Sequence, residues 1–474
     1  MSIVLYNSMS GEKEPLQTIE PGKVRFYACG PTVYNYFHLG NARMFVAFDT
    51  IRRYLEYRGY DVRFVQNFTD VDDRIIQRAH ELGISPRELA KQNIADYFAD
   101  AEMLFIRPAT VHPRVTECIP EIIQFIEDLI RDGHAYERNG SVYFDTSSFP
   151  EYGKLSHQSP DDMRAGFRID VQDEKDDPTD FALWKAAKPG EEFWQSPWGS
   201  GRPGWHIECS VMNLLYLGEQ IDIHAGGRDL IFPHHENEIA QSEAHSNKVF
   251  ARYWLHNGTL NINGEKMSKS TGNFIMTRDL LARRDGRSVR FFLLSAHYRH
   301  PLNYTEEALT QAEQGLGRID RLLRSMDHHL AALSERADVA PVTGAAPGAT
   351  ASGDCAEIRS AFVAAMDDDF NTADAISAIF DGVRLINTRL ESERLTMADL
   401  QAYRNLIVEL LDVLGIPEQR EAQIEAEVEA LIQERQAARA RRDFARADEI
   451  RDILKHRGIL LEDTPQGTRW SFES

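Results

Sequence analysis

The fold is decided by residues 23–68, which read KVRFYACGPTVYNYFHLGNARMFVAFDTIRRYLEYRGYDVRFVQNF. Residues 23–29 alternate apolar and polar side chains and run into Gly30-Pro31, which predicts a strand followed by a turn. Apolar residues recur at helical spacing through 42–57, and 61–68 predicts a second strand. A strand, a helix and a strand within about fifty residues indicate a parallel α/β unit.

Length and composition limit the class of protein. The chain has 474 residues, 42% of them hydrophobic, and this length predicts roughly two to four folding units. The sequence contains no apolar run of about 18 residues, and its start, MSIVLYNSMSGEKEP, lacks the layout of a signal peptide, so we expect no membrane span. The cysteines are few and far apart, which favours free thiols in a reducing cytoplasm. They are Cys29, Cys118, Cys209 and Cys355.

The net charge of −21 argues against a nonspecific nucleic-acid binder, because phosphates would be repelled at long range. Any nucleic-acid contact therefore requires a local basic patch. Residues 435–457 contain such a patch, and an aromatic residue, Trp470, lies nearby in the sequence. A solvated helical face explains any single arginine of this patch equally well.

Changes of pattern along the chain predict its organisation. We expect a Rossmann-like parallel-sheet catalytic domain of the α/β class with an insertion, then a helical-bundle domain and a small C-terminal unit. Asn139-Gly140 predicts a hairpin inside the insertion, and 337–354, rich in Ala, Pro, Gly, Ser and Thr, predicts a flexible linker. Further strands are expected at 217–224 and 253–257, and a helix at 236–246. The expected boundaries are 1–114 and 201–260 for the two catalytic halves, 115–200 for the insertion, 261–336 for a loop and helical region, 337–354 for the linker, 355–420 for the bundle and 421–474 for the terminal unit.

His38-Leu39-Gly40-Asn41, here called the first signature, falls between the first predicted strand and its helix. Ligands of open α/β sheets bind at the carboxyl ends of strands, where a helix N-terminus attracts phosphate. The histidine can donate to a phosphate, and the glycine lets a nucleotide approach the backbone. By itself this tetrapeptide is also compatible with an ordinary helix start that carries a surface histidine.

Residues 266–270, KMSKS, here called the second signature, lie in the polar loop NGEKMSKSTGN. Lys266 and Lys269 can neutralise the charge that develops on phosphates as pyrophosphate leaves, although a solvated basic loop is the alternative. The chain lacks the P-loop pattern. In this order along the chain, and in a predicted α/β domain, the two signatures resemble those of the class I aminoacyl-tRNA synthetases.

Two cysteines, a histidine and a glutamate are candidate metal ligands. His234 and Glu238 are four residues apart, so on a helix they share one face. Together with Cys29 and Cys209 they make an acceptable tetrahedral zinc set. The four residues are far apart in the sequence, and this spacing does not establish a metal site, because a free cysteine is more often a small buried hydrophobic residue.

The amino-acid sequences of several segments resemble those of the cysteinyl-tRNA synthetase family. The matching segments are FYACGPTVY, FTDVDD, GWHIECS, GGRDLIFPHHENEIAQSEA, KMSKS, MDDDFNTADAI and EDTPQGTRW. The resemblance places one zinc ion per chain on Cys29, Cys209, His234 and Glu238, with His235 as a substitute ligand. Cys118 and Cys355 match no ligand of the family. Asn41 stands where the class often has histidine, and its amide can still donate to a phosphate.

The resemblance implies ATP-dependent ligation of L-cysteine to tRNA(Cys) through a cysteinyl-adenylate, with cysteine selected by thiolate coordination to zinc. Serine differs only in oxygen for sulfur, and discrimination near 10⁴ requires about 5.5 kcal/mol, which pocket shape does not supply. Zinc binds thiolate far better than an alcohol, so no editing domain is expected. We expect a monomer in the cytoplasm.

The resemblance also assigns site residues. Those placed on ATP, with Mg²⁺ on its phosphates, are His38, Gly40, Asn41, Gly227, Asp229, Lys266, Met267, Ser268 and Lys269. Among them, the residues assigned to catalysis are His38, Asn41, Lys266 and Lys269. For Asp229, a turn-forming role after Gly-Gly-Arg is the alternative. Those placed around the amino acid are Gly30, Thr32, Thr69 and Trp205. The terminal unit is expected to recognise the anticodon, with tRNA contacts at Arg439, Arg442, Arg446 and Trp470.

Three other functions remain open at this point. A related ligase that joins cysteine to an amino-sugar inositol resembles the catalytic half, including zinc, but lacks the terminal unit, and the segment EDTPQGTRW weighs against it. A small adenylyltransferase shares a turn like the first signature but has a shorter chain without KMSKS. A tRNA-binding or zinc-structural protein with an inactive nucleotide site would not require His38, Lys266 and Lys269.

Overall fold

The structure, a computed structural model, describes residues 2–158, 175–267, 272–336, 348–392, 395–419, 421–441, 443–456, 459–464 and 467–472. The chain divides into two units. The first comprises Met1–Arg284, Ala296–Asn303 and Met366–Asn371, and the second comprises Asp285–Ser295, Tyr304–Ala365 and Thr372–Ser474.

The first unit opens with an antiparallel hairpin of β1 (Val4–Asn7) and β2 (Glu12–Pro15), which the sequence patterns did not predict. The predicted strand–helix–strand unit follows as β3 (Lys23–Ala28), α1 (Leu39–Tyr57) and β4 (Asp61–Gln66). β3 and β4 pair in parallel over their whole length, so this prediction is confirmed.

Helix α1 begins at the first signature. The N–H of Asn41 donates to Nδ1 of His38 at 3.2 Å, and the N–H of His38 donates to Oδ1 of Asn41 at 3.4 Å. These reciprocal bonds satisfy N–H groups that a helix start leaves without partners. Phe45, Phe48 and Leu55 face the interior and are almost completely buried. The first signature is therefore both a helix cap and the point where α1 meets the sheet.

After β4 the chain forms α2 (Asp73–Leu82) and α3 (Pro86–Met103), and α4 (Ile119–Arg131) lies in the predicted insertion. The antiparallel sheet of the insertion contains β5 (Ala135–Arg138), β6 (Ser141–Phe144), β7 (Phe181–Ala186), β8 (Trp194–Ser196) and β9 (Gly199–Pro203), in the order β5-β6-β7-β9-β8. Asn139 and Gly140 both have positive φ, as a two-residue hairpin turn requires, which confirms that prediction.

The chain then returns to the parallel sheet through α5 (Ile207–Leu217), β10 (Ile221–Gly227), α6 (Glu236–Ser246) and β11 (Ala251–Asn257). The sheet order is β11-β10-β3-β4, with β10 in parallel pairing on both sides. The inner strand β10 is buried along almost its whole length, as expected for a parallel sheet covered by helices. The predicted strand at 217–224 was wrong at its start, because Leu217 is the last residue of α5.

Short elements carry the chain out of the sheet. They are β12 (Leu260–Ile262), β13 (Glu265–Lys266), α7 (Thr277–Leu281), α8 (Gly286–Leu294) and β14 (Leu302–Tyr304). β12 and β13 form a tight antiparallel pair, which places the start of the second signature on a strand.

The second unit is helical. Besides α8 it contains α9 (Glu306–Arg336), α10 (Ala349–Asp367), α11 (Thr372–Ser392) and α12 (Met397–Val413). The predicted linker 337–354 was wrong at its end, since Ala349–Asp354 begins α10. Alanine favours a helix there, and Asp354 is fixed by Arg389 and by the hydroxyl of Tyr403 at 2.7 Å. Residues 337–347 lie outside the described residues.

The C-terminal part of this unit contains α13 (Glu421–Ala440), α14 (Phe444–His456) and a hairpin of β15 (Ile459–Thr464) and β16 (Gly467–Phe472). It has a small hydrophobic core of its own, formed by Val428, Ile432, Ile450, Leu454 and Ile459. Among the described helices of the whole chain, none combines the length and apolar character that a bilayer span requires.

Candidate functional site

Reactive side chains gather at the carboxyl ends of β3 and β10. Cys29 follows the last residue of β3, and its N–H donates to the carbonyl of Ala225 in β10 at 3.0 Å. Gly226 and Gly227 end β10 beside it. In open parallel sheets this edge is where ligands bind, so the position favours a functional site.

Four of these side chains form a buried cluster, called here the ligand cluster. Cys29, Cys209, His234 and Glu238 are each 3% exposed or less, and one donor atom from each lies within 4.8 Å of the other three. Nε2 of His234 is 3.1 Å from Oε1 of Glu238. Sγ of Cys29 is 3.6 Å from the same oxygen, and Sγ of Cys209 is 3.6 Å from Nε2 of His234.

These separations fit a tetrahedral metal site. Zinc–ligand distances of about 2.0–2.3 Å place the corners of a tetrahedron roughly 3.3–3.8 Å apart. The three separations within the ligand cluster given above, from 3.1 to 3.6 Å, are close to that range. Thiolate, imidazole and carboxylate are also the donor set that zinc takes in proteins.

The electrostatics of the ligand cluster favour charged donors. Burial opposes ionisation of Glu238, but His224 and His234 outweigh it and lower the pKa of Glu238 to about 2. Burial also opposes ionisation of Cys209, and hydrogen bonds with Cys29 and His234 outweigh it, lowering its pKa to about 6. Burial raises the pKa of Cys29 well above its usual range. One carboxylate and one thiolate are therefore ready as donors at neutral pH.

Neighbouring histidines orient the ligand cluster. Nε2 of His224 lies 2.7 Å from Oε2 of Glu238, which leaves Oε1 facing His234 and Cys29. Partners of this kind fix the orientation of metal ligands. His235 also reaches Cys29, at 3.3 Å, and its other nitrogen lies 2.9 Å from His256. His235 as a substitute ligand stays a prediction.

The residues predicted around the amino acid lie beside the ligand cluster. The indole of Trp205 stacks on the imidazole of His234, with centroids 4.5 Å apart. Thr32 pairs with Thr69 in a parallel bridge next to Gly30. The Thr69 hydroxyl donates to Oε1 of Glu208 at 2.5 Å.

Glu208 was not predicted from the sequence. It is 2% exposed, and burial raises its pKa well above the usual range, so that a proton can stay on the carboxyl group. Its position in the sequence, directly before Cys209, was the available signal.

The structure brings the two signatures together. A β-carbon built on Gly40 would lie 2.8 Å from Cε of Met267. Beyond the second signature, the carbonyl of Ile275 accepts from the N–H of Leu39 at 2.9 Å, and His38 pairs with Met276 in an antiparallel bridge.

The structure describes only some of the remaining residues that were predicted to bind ATP. Lys266 is in β13, but its side chain, with Ser268 and Lys269, lies outside the described residues. Asp229 is exposed in a helical turn after β10, and a β-carbon on Gly227 would lie 2.4 Å from its Oδ1. The close approach of backbone and carboxylate puts an acceptor at the end of β10.

The four residues predicted to contact tRNA all belong to the terminal part of the second unit, whereas the ligand cluster belongs to the first unit. They are Arg439 in α13, Arg446 in α14, Trp470 in β16 and Arg442. Arg446 is paired with Glu434 at 3.0 Å and with Glu449 at 2.8 Å. Arg442 and the side chain of Trp470 lie outside the described residues.

Helix α9 carries a polar surface that the sequence analysis missed. Four exposed side chains line a cavity of about 530 Å³ on it. Their spacing of three, four and three residues places them on one helical face, and this spacing was the available signal. We call it the α9 stripe; it consists of Gln311, Gln314, Arg318 and Arg321.

Family models match three parts of the chain. Residues 15–314 match the catalytic domain of class I (C) tRNA synthetases. Residues 361–418 match the DALR domain, and residues 421–470 match the cysteinyl-tRNA ligase anticodon binding domain.

Curated relatives match along the full length. The chain is 54% identical to a cysteine–tRNA ligase of Brevibacillus brevis over 473 residues, covering 99% of both chains. It is 54% identical to that of Geobacillus thermodenitrificans over 469 residues, again covering 99% of both.

Solved structures at low identity share the fold. A methionyl-tRNA synthetase of Mycobacterium tuberculosis in complex with methionyl-adenylate has a TM-score of 0.60 at 16% identity, covering 83% of this chain and 89% of that one. A LeuRS of Agrobacterium radiobacter in a ternary complex with tRNA has a TM-score of 0.60 at 12% identity, covering 84% and 85%.

Proposed function

The chain belongs to the family of class I cysteine–tRNA ligases, which charge tRNA with cysteine, and we propose that it selects cysteine with a zinc ion and activates it as cysteinyl-adenylate. The observation that carries this proposal is the buried ligand cluster of Cys29, Cys209, His234 and Glu238 at the carboxyl edge of the parallel sheet.

Zinc fits the ligand cluster by its donors and their separations. Cys29, Cys209, His234 and Glu238 would hold the ion. When bound, it would supply a Lewis acid that favours a thiolate over the hydroxyl of serine and lowers the pKa of a thiol. His224 keeps Glu238 oriented.

Residues of the chain also shape the amino-acid pocket. Trp205 stacks on His234 and covers that face of its imidazole. Gly30, Thr32 and Thr69 line the neighbouring wall. The shape of a pocket separates cysteine from serine poorly. These residues therefore position the substrate, and the ligand cluster discriminates sulfur from oxygen.

Adenylate formation takes place at the first signature. The carboxylate of cysteine attacks the α-phosphorus of ATP, a new phosphorus–oxygen bond forms, and pyrophosphate leaves with the electron pair of the bond that breaks. Nδ1 of His38 accepts from Asn41, so a neutral imidazole carries its proton on Nε2 and can donate it to a phosphate. The N-terminus of α1 adds a favourable dipole.

The second signature neutralises the leaving group, whose phosphates Mg²⁺ would accompany as part of the ATP substrate. Lys266 and Lys269 contribute positive charge to the β- and γ-phosphates, and Asp229 accepts from the ribose hydroxyls near Gly227. A terminal ribose hydroxyl of tRNA(Cys) then attacks the adenylate carbonyl and AMP leaves. Catalysis of this kind rests on positioning and electrostatic stabilisation.

Two surfaces of the second unit are assigned to tRNA. The terminal unit, with Arg439, Arg442, Arg446 and Trp470, recognises the anticodon. Within the α9 stripe, Arg318 and Arg321 contact backbone phosphates, and the two glutamines hydrogen-bond sugars or phosphates. We place the enzyme in the cytoplasm as a monomer; its four buried free thiols suit a reducing compartment.

The test is cysteine-dependent ATP–pyrophosphate exchange combined with metal analysis. The full-length protein should bind about one zinc per chain, and Cys209→Ser should lose both the metal and the exchange. Cys118→Ser is the matched control, because Cys118 is equally buried but outside the ligand cluster; it should keep both. Cys209→Ser that retains zinc and the wild-type KM for cysteine would refute the proposal.

A further inference from the structure

Arg43 is a buried cation held by backbone carbonyls. It lies on α1 and is 1% exposed. One terminal nitrogen of its guanidinium, Nη1, donates to the carbonyls of Gly258 at 3.0 Å and Thr259 at 2.8 Å. The other, Nη2, donates to the carbonyls of His297 at 3.1 Å and His300 at 2.5 Å. A single side chain thus joins α1 to two separate loops.

The first of these loops leads into the second signature. Thr259 precedes β12, and the carbonyl of the next residue, Leu260, accepts from the N–H of Met267 at 3.3 Å. Asn261 pairs with Lys266 across β12 and β13. Arg43 therefore bonds to Thr259, and the next residue, Leu260, bonds to the second signature at Met267.

The second loop is fixed from its other side by a buried carboxylate. Asp369 is 0% exposed and accepts from Nε of Arg299 at 2.6 Å and from the hydroxyl of Tyr298 at 2.9 Å. A β-carbon on Gly258 would lie 2.5 Å from the carbonyl of His300. The two loops are thus in close contact where they meet Arg43.

A lysine cannot reproduce these bonds. The planar guanidinium presents two terminal nitrogens that reach two pairs of carbonyls, whereas an ammonium is a single point. Burial lowers the pKa of Arg43 to about 10, which still leaves it charged at neutral pH. A buried charge is costly unless it is hydrogen-bonded, so the four carbonyls have to stay in place around it.

We propose that Arg43 is a positioning residue for adenylate formation: it sets the base of the second signature against the helix that begins at the first. Its place is two residues after Asn41, so the helix that begins at the first signature also holds the loop that leads into the second. The inference rests on the proposed adenylation reaction and adds a residue that touches neither ATP nor cysteine.

The test compares Arg43→Lys with Arg53→Lys. Arg53 is a matched control on the same helix, bonded to Asp49 at 2.8 Å and to the carbonyl of Phe105 at 2.9 Å. In pyrophosphate exchange, Arg43→Lys should lower kcat about 10- to 100-fold, the cost of misplacing reacting groups, and leave the KM for cysteine within about twofold. Arg53→Lys should keep kcat within about threefold. Rates are expressed per active site, so a purely structural defect would change the number of sites and not kcat.

A double-mutant cycle separates positioning from other effects. If Arg43 acts through the second signature, Arg43→Lys should cost much less in a Lys266→Ala background than in the wild type. Fully additive losses would overturn the inference. Asp369→Asn loosens the same loop without altering Arg43 and should give a smaller loss of the same kind; a normal kcat in both variants also overturns it. Absence of exchange in the wild type would instead overturn the proposed function.

Discussion

The N–H of Gly30 donates to the side-chain oxygen of Asn67 at 2.8 Å, and the two backbones approach so closely that a β-carbon on Gly30 would lie 1.6 Å from the carbonyl oxygen of Asn67. Only glycine fits this position. The contact sets the spacing between the segment after β3, which carries Cys29, and the segment after β4, which carries Thr69. The geometry of the amino-acid pocket therefore depends on a residue that offers no side chain.

Gly30→Ala should separate these two segments and impair cysteine binding. Overpacking of this kind costs about 1–3 kcal/mol, so we expect the KM for cysteine in pyrophosphate exchange to rise at least about tenfold while the KM for ATP changes little. Gly353→Ala is the control, because a β-carbon there meets no atom within 4 Å. An unchanged KM for cysteine in Gly30→Ala would show that this contact does not shape the pocket.

Charge reversal on the α9 stripe should weaken tRNA binding alone. Each phosphate contact adds to affinity through counterion release, so Arg318→Glu with Arg321→Glu should raise the KM for tRNA at least about tenfold and leave exchange unchanged. Gln311→Ala serves as a mild variant on the same face. Equal loss of exchange and charging would mean that the stripe supports the fold and not the RNA.

Removal of the chain after residue 420 should leave adenylate formation intact and reduce charging severely. The terminal part has its own core of five buried aliphatic residues, and the core around the ligand cluster contains none of its residues. Pyrophosphate exchange and tRNA charging are measured on the same preparation. Parallel loss of both activities is the outcome that contradicts a role in tRNA recognition.

Stability should fall as the pH drops below about 6.5, in part because of His112. Burial lowers the pKa of His112 to about 4, although the hydrogen bond to the carbonyl of Gln66 acts in the opposite direction. Its Nε2 accepts from the N–H of Ala109 at 2.9 Å, which protonation would abolish. The unfolded chain therefore binds this proton more readily, and the stabilisation present above pH 6.5 is lost as the pH falls towards 4.

The free energy of unfolding should drop by about 2 kcal/mol from this group between pH 7.5 and pH 5. The measurement is urea unfolding at both pH values for the wild type and for His112→Gln, which lacks this titration. The difference between the two proteins should shrink as the pH is lowered. A constant difference would mean that His112 does not titrate as described.

Hydrophobic periodicity and turn residues predicted the elements whose formation depends mainly on neighbouring residues in the sequence. The strand, helix and strand of 23–68 and the Asn139-Gly140 hairpin follow from periodicity and turn residues, and both are present. β2 was missed because Glu12–Pro15 is polar and largely exposed, so it has no apolar alternation. The start of α10 was missed because its Ala, Gly and Ser composition suits a linker as well as a helix.

The ligand cluster shows the limit of prediction from spacing. His234 and Glu238 could be paired from their separation of one helical turn. Cys29, which follows β3, and Cys209, in the first turn of α5, join them only through the tertiary fold, which no local pattern encodes, and family resemblance was needed to choose them. Arg43 could not be found at all, because its partners are backbone carbonyls more than 200 positions away.

The central claim is that a metal at the ligand cluster selects cysteine, and the most direct test is charging of bacterial tRNA with labelled cysteine and labelled serine before and after zinc removal. Metal analysis and circular dichroism establish that the protein is metal-free and folded. We predict that cysteine charging falls to background without zinc and returns when zinc is restored, with serine near background throughout. A folded, metal-free protein that still charges cysteine at the full rate and still rejects serine would contradict the account.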